Sequence, residues 1–512
     1  MKLLLTSKKW IGILICITVL GLFLRVYDLG KLSFNADEFL DINASYGYAM
    51  TKTWQAWDFN FQKSSDRINI ASDERAWPYR YQVAQMLRFF EPTEFIARSV
   101  SVIWGVITIV LMFFIARSMT GSVRIGLISA FLFSVSASGI EFDRTLRMYA
   151  MFFPIFLLFS WTVFRLLEPN GKYPGIFRFF EKKLGYQWDI RFFVPAVILG
   201  VLSFYVHQLT ANIIFIVLAY NVFWAGVIFC NKKTIKTKYT FLFLVGIFFS
   251  VLGSIFFPEQ LTRQFGALIF FENHWSYFGK ILSDYSHPLI AVGLFGLGIY
   301  SLWVRKRQKE SVWLSISSLS LLFFAVFLWR RNVGPQYIFF AQSFVIILIA
   351  SGISHVVDVC VQTFSSRYLM LSRVVVVTLA CMLLIVPNYA YFFEENTSYR
   401  QSSEAGSPDY RSTFSYFLKN KQEGDVLITR DFRSYYFHDA KVQVYDFGGE
   451  LSRQNFSLEN LEEIMRRHKH GWVIYSDNDE RYIAKNTRYF IEDNLEKIRD
   501  QKVRGNMRMY RW

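Results

Sequence analysis

Apolar runs long enough to cross a bilayer recur along the 512 residues of this chain. A spanning helix needs about 20 mostly apolar residues, because each residue advances it only 1.5 Å through the hydrocarbon. On that test spans are expected near 10–27, 94–116, 122–140, 147–167, 191–209, 211–230, 239–257, 287–304, 311–329, 336–355 and 373–393. The split within 191–230 is placed at the polar break His207-Gln208-Leu209-Thr210. Most segments between the runs are short, but 28–93 is long and rich in acids and aromatics. Loops of more than about 15 residues in a compact architecture usually carry function.

Beyond about residue 394 the pattern changes. The segments 426–429, 442–445 and 472–475 read as short buried strands. Residues 457–467 and 487–499 read as amphipathic helices, the first capped by Ser457 with Glu459 in its opening turn. Alternating strand and helix predicts a small α/β domain with a mostly parallel sheet. The expected organisation is a polytopic α-helical membrane domain of about eleven spans over 1–393, followed by an α/β domain over 394–512.

Composition agrees: 53% of the chain is hydrophobic and 19% aromatic, more apolar surface than one soluble core can bury. The formal charge of +16 would suggest nucleic acid in a soluble protein. Here the cations sit in short loops, so topology explains them and no nucleic-acid partner is expected. With a cytoplasmic N-terminus, the basic clusters at 117–124, 172–191, 232–238, 305–309 and 367–373 all fall inside, as the positive-inside rule requires. The segments 28–93, 141–147 and 258–286, the turn at His207, the turn 330–336 and everything after 394 then lie outside. The expected location is the cytoplasmic (inner) membrane, with the α/β domain extracytoplasmic. Lys2, Lys8 and Lys9 before the first run resemble a signal peptide, but no small-residue cleavage site follows, so an uncleaved first span is expected. Cys16, Cys230, Cys360 and Cys381 lie in or beside apolar runs without CxxC or metal-ligand spacing, which reads as buried structural thiols.

Three outer segments hold candidate chemistry. Asp37 and Glu38 follow the first span; adjacent carboxylates there suit a general base, a divalent cation or the orienting of a hydroxyl, or simply a solvated acidic loop. Glu141, Asp143, Arg144 and Arg147 crowd one short turn between spans. A guanidinium fork matches phosphate oxygens, and charge at a membrane edge is expensive unless used; local ion pairs holding the turn are the plainer account. Asp73 and Glu74 precede Trp77, Tyr79 and Tyr81, which fit either a sugar platform or the interfacial aromatic belt. His207, alone near a helix end, reads first as a structural hydrogen-bonding residue. Arg330 and Arg331 are outside charges that suit an anionic partner, or snorkel.

Arg25, Asp37-Glu38, Trp77-Pro78-Tyr79, Glu94 to Arg98 with Gly105, and Arg144-Thr145-Leu146-Arg147-Met148-Tyr149 together resemble the GT-C membrane glycosyltransferases. Within them the nearest likeness is to the dolichyl-phosphate-mannose protein mannosyltransferases and the bacterial aminoarabinose transferases. The likeness is dense over about 20–165 and thins to His207 and to Gln336-Tyr337, where many relatives carry Arg-Tyr. It implies an inverting transfer of sugar from a polyprenyl-phosphate donor to an acceptor hydroxyl on a lipid, glycan or protein. Asp37 would be the general base with Glu38 beside it. Arg144, Arg147, Arg330 and Arg331 would meet the donor phosphate, and Asp73, Glu74, Trp77, Tyr79, Asp143, Tyr149, His207 and Tyr337 would line the substrate site. Asp37, Glu38 and Asp143 are the residues that could hold a divalent metal, which the family does not use uniformly. A non-catalytic lipid-linked-sugar transporter is the alternative, but it calls for polar residues within several spans, and those are scarce. A polysaccharide polymerase or ligase would place its charge density late in the chain rather than early.

Overall fold

The structure is a computed structural model that describes residues 9–65, 75–169, 188–256, 274–285, 287–327, 334–363, 375, 378–379, 388–402, 406–447, 456–498 and 503–512. Its first helices are α1 (Lys9–Val26), α2 (Ala36–Thr51), α3 (Trp77–Phe89), α4 (Glu94–Thr120), α5 (Val123–Ser134), α6 (Ala137–Asp143) and α7 (Tyr149–Leu167). Next come α8 (Phe193–Val206), α9 (Ile213–Lys232), α10 (Lys238–Phe256), α11 (Ser276–Leu282), α12 (Pro288–Val304), α13 (Gln308–Phe327), α14 (Gln342–Thr363) and α15 (Asn388–Phe393). The last three are α16 (Tyr410–Asn420), α17 (Leu458–Arg467) and α18 (Lys485–Asn494).

The first ten predicted runs fall on helices. Six helical stretches among the described residues are long and apolar enough to cross a membrane, or seven if α5 and α6, which meet at 62°, form one broken span. Ile190–Val206, Lys238–Phe248 and Pro288–Val304 are apolar but shorter. The run expected at 373–393 lies mostly outside the described residues. The chain is therefore a largely helical, multi-pass membrane protein, with six or seven candidate crossings among the described residues.

Two compact units share the chain, neither continuous in sequence. One gathers Met1–Leu24, Trp104–Phe142 and Tyr149–Ala390; the other gathers Arg25–Ile103, Asp143–Met148 and Tyr391–Trp512.

In the first unit, α12 and α14 approach until their glycines meet the opposite backbone. A Cβ on Gly298 would lie 1.9 Å from the Leu348 carbonyl oxygen, and one on Gly352 2.0 Å from that of Leu294. Small residues permit such contact where lipid gives no hydrophobic drive for helix association. The break between α5 and α6 is held by buried Asp284, which accepts hydrogen bonds from the Ser138 amide at 2.9 Å, the Ser136 hydroxyl at 2.7 Å and Gln342 Nε2 at 2.8 Å. Charged helix ends pair off as well. Arg124 and Arg305 share Asp358, while Lys238 and Lys309 share buried Glu168.

In the second unit the long segment 28–93 is not an open loop. It holds α2, α3 and a two-stranded hairpin, β1 (Trp57–Asp58) with β2 (Lys63–Ser64). Asn35 starts α2: its side chain accepts from the Asp37 and Glu38 amides while the Glu38 carboxylate reaches back to the Asn35 amide, a reciprocal capping box. Acids in the opening turn also complement the helix dipole. The C-terminal sheet comprises β3 (Val426–Thr429), β4 (Gln443–Asp446), β5 (Gly471–Tyr475), β6 (Glu496–Lys497) and β7 (Arg508–Arg511), in the order β4-β3-β5-β7-β6. Its β4, β3 and β5 are parallel, as the pattern predicts. β7 runs antiparallel to β5 and to β6, and the pattern does not announce β6 or β7. Its core includes Val426, Ile428, Phe447, Leu461, Val473 and Ile491.

Candidate active site

α2 carries Asp37, Glu38 and Asp41 on its first turns, and the three carboxylates have different fates. Glu38 is buried and accepts four hydrogen bonds. Arg98 Nε and Nη2 grip it as a fork at 2.8 and 2.7 Å, the Leu146 amide donates at 2.7 Å, and the Asn35 amide donates at 2.9 Å. Asp41 is also buried, between Arg80 Nε at 2.6 Å and Arg147 Nη1 at 2.8 Å. Burial alone would raise its pKa; Arg80 and then Arg147 outweigh that and hold the carboxyl below the ordinary range. Asp37 differs from both: its side chain is 61% exposed, with Arg147 Nη2 3.5 Å away.

The turn after α6 supplies the matching cations. Asp143 is buried against Arg25 Nε at 2.7 Å. Arg147 donates to the Asp37 carbonyl at 3.1 Å as well as to Asp41. Arg144 is 5% exposed and makes no ion pair among the described residues. Its fork donates to the carbonyls of Arg25, Tyr27 and Ser398, and its guanidinium lies 4.3 Å from the Tyr399 ring. Arg25, Arg80, Arg98, Arg144 and Arg147 thus stand with Asp37, Glu38, Asp41 and Asp143, one cation in excess.

Asp37, Glu38, Asp143, Arg144, Arg147, Trp77 and Tyr79 all belong to this unit. Trp77 is exposed at the start of α3, whereas Tyr79 is a core residue whose hydroxyl bonds the Ser101 hydroxyl at 2.7 Å. Tyr149, His207 and Tyr337 belong to the other unit. There His207 packs 5.2 Å from the Tyr149 ring and accepts from the Leu209 amide through Nδ1, and Tyr337 sits half-buried in a 3-10 turn. Asp73, Glu74, Arg330 and Arg331 lie outside the described residues. Sequence reasoning passed over Asp41, Arg80 and the pairing role of Arg98. One signal was available: 37, 38 and 41 share one face once the segment is read as a helix. Asp37, Glu38 and Asp143 do not fit a metal centre in this structure. Arg98 and two amides occupy the Glu38 oxygens, Arg25 occupies Asp143, and no group of three or more His, Cys, Asp or Glu among the described residues could hold an ion.

No family model matches the sequence, and no curated protein matches it. Solved structures do. The apo oligosaccharyltransferase of Archaeoglobus fulgidus superposes with a TM-score of 0.63 at 11% identity, covering 93% of this chain and 70% of that one. ArnT from Cupriavidus metallidurans, an aminoarabinose transferase solved bound to undecaprenyl phosphate, superposes with a TM-score of 0.57 at 9% identity, covering 99% of this chain and 98% of that one. The archaeal enzyme AglB has also been solved with an inhibitory peptide and a dolichol-phosphate, at a TM-score of 0.59 and 11% identity, covering 92% of this chain and 70% of that one. This chain has the GT-C fold. At such low identity the likeness is one of architecture, and the chemistry of this GT-C chain has to be argued from its own residues.

Proposed function

We propose that this GT-C chain is an inverting glycosyltransferase that takes a sugar from a polyprenyl-phosphate donor to an acceptor hydroxyl. One observation carries the reading: within a cluster whose other acids are locked in buried ion pairs, Asp37 keeps an exposed carboxylate, 3.5 Å from Arg147. An exposed carboxylate is accessible to accept the proton of an acceptor hydroxyl. As the hydroxyl oxygen bonds the anomeric carbon, its proton passes to Asp37 and the bond from that carbon to the donor phosphate oxygen breaks. The departing phosphate gains negative charge. Arg147 and Arg144 stand close in the chain to receive it, and Arg144 brings a buried charge that no carboxylate among the described residues neutralises. That a relative of the same fold was solved with undecaprenyl phosphate, and another with a dolichol-phosphate, supports a polyprenyl-phosphate donor. The site faces away from the cytoplasm on this reading, because the basic loops belong inside.

Purified protein is to be incubated with a panel of undecaprenyl-phosphate-linked sugars and a mixed acceptor extract, and release of undecaprenyl phosphate followed. Consumption of one donor, lost in Asp37→Asn, is the expected result. Consumption of none, by protein that is monodisperse, would sink the proposal.

A further inference from the structure

The segment 431–442 docks along the stretch of chain that begins and follows α2. Asn43 Nδ2 donates to the Phe432 carbonyl at 2.6 Å, the Phe59 amide to the Ser434 hydroxyl at 3.1 Å, and the Asp439 amide to the Phe59 carbonyl at 2.9 Å. Asn60 and Val442 exchange two hydrogen bonds, at 2.7 and 3.1 Å. At the head of this seam stands Glu94, a buried acid with no part in the proposed chemistry. It accepts from Arg411 Nε at 3.1 Å and from the Tyr436 hydroxyl at 2.8 Å. The same hydroxyl accepts from the Phe34 amide at 2.6 Å. Phe34 immediately precedes Asn35, the cap of the helix that presents Asp37. The rings agree with the hydrogen bonds: Phe34 and Phe39 pack against Tyr436 at 6.3 and 5.5 Å.

We infer that Tyr436, held by the Glu94–Arg411 pair, is a positioning residue that sets the start of α2 and so places Asp37 for proton transfer. The physical case rests on where freedom would otherwise lie. A helix start leaves amides without intrahelical partners and frays readily. Here the cap binds only the Asp37 and Glu38 amides, while the amide before it is fixed solely, among the hydrogen bonds described, by a side chain some four hundred residues away in sequence. Burial of the Tyr436 ring and the ion pair behind it leave that hydroxyl one place to be. Asp37 itself is exposed, and the contacts described for it are the Asn35 cap on its amide and Arg147 at its carbonyl and carboxylate. The C-terminal segment is on this view part of the catalytic scaffold. The inference rests on the transferase reading only for its kinetic arm.

The full-length protein in detergent carries the test, with Tyr436→Phe as the main variant and Tyr435→Phe as its neighbour. Tyr435 donates its hydroxyl to the Pro92 carbonyl at 2.6 Å and, at 3.5 Å, to Glu94, but makes no hydrogen bond to the Phe34 amide among those described. Hydrogen exchange over 34–38 should quicken in Tyr436→Phe and stay as in wild type in Tyr435→Phe. With the undecaprenyl-phosphate sugar that the panel selects, kcat should fall about tenfold while donor KM stays within about twofold, because placement rather than donor binding is disturbed. Unchanged exchange over 34–38, or wild-type kcat, in Tyr436→Phe overturns the inference. If the wild-type protein turns over no sugar donor, the transferase reading falls and the exchange result alone decides the positioning. Should Tyr436→Phe not fold, Glu94→Gln takes its place: its amide oxygen still accepts from Tyr436 but loses the Arg411 charge. It should quicken exchange and lower kcat about threefold, and wild-type behaviour in both overturns the inference.

Discussion

Asp37 and Glu38 are neighbours in the chain and opposites in their surroundings. Asp37 faces solvent beside Arg147; Glu38 is sealed under Arg98 and two amides. Asp37→Asn keeps the shape and removes the proton acceptor. Sugar transfer should therefore fall by roughly two to four orders of magnitude with thermal stability unchanged. Glu38→Gln should do the reverse in kind, losing about 3–5 kcal/mol of stability because Arg98 is left with a neutral partner in a buried place. Activity and melting measured on both variants separate the roles. Arg147→Lys should recover only part of what Arg147→Ala loses in donor turnover, since an ammonium cannot span Asp41 and a phosphate as a fork does. Asp41 makes a pH prediction. Burial works against its charge, but Arg80 and Arg147 hold its pKa below the ordinary carboxylate value. Its stabilisation is thus present above that ordinary value and lost as pH falls through the depressed one. Wild type should melt well above Asp41→Asn at pH 6 and the gap should close below about pH 4. A gap that is constant with pH would count against the pairing.

Helices here are decided by composition and then tuned by single positions. The pair α12 and α14 rests on Gly298 and Gly352, where any Cβ meets a carbonyl oxygen at about half of van der Waals distance. Gly298→Ala or Gly352→Ala should destabilise the protein by about 1–3 kcal/mol through overpacking. Gly226→Ala, on α9 with nothing within 4 Å of the added methyl, should be neutral. Thermal midpoints of the three variants in one detergent test this. The apolar run of residues 122–140 illustrates the limit of hydropathy: it reads as one straight span, yet the chain breaks between α5 and α6 at 62°. The cause is Asp284, more than a hundred residues on, which offers acceptors to Ser136 and Ser138 at the break.

Sidedness is a property of the whole molecule, set by where its charged loops fall. The basic loops favour a cytoplasmic N-terminus, and the expected eleven crossings would then put the C-terminal sheet outside. A reporter active only outside the cytoplasm, fused after Trp512, should be active; activity of a cytoplasm-only reporter at that point would contradict the proposed orientation. The two units also place the C-terminal residues Tyr391–Trp512 with Arg25–Ile103 rather than by themselves. Sequence order alone does not suggest that grouping.

What the sequence determined by itself was whatever depends on local pattern. Hydropathy located the helices because lipid demands unbroken apolar runs. Short apolar runs located β3, β4 and β5, and clustered charges at 37–38 and 141–147 marked the candidate site. Residue types with few structural uses at a membrane edge singled those positions out. Tertiary structure decided which charges remain available. Glu38 is satisfied by Arg98 and Leu146, Asp41 by Arg80 and Arg147, and Asp143 by Arg25, all partners distant in sequence. An ion pair leaves no trace in the sequence around either member, because its energy depends on separation and burial, and both are properties of the folded chain.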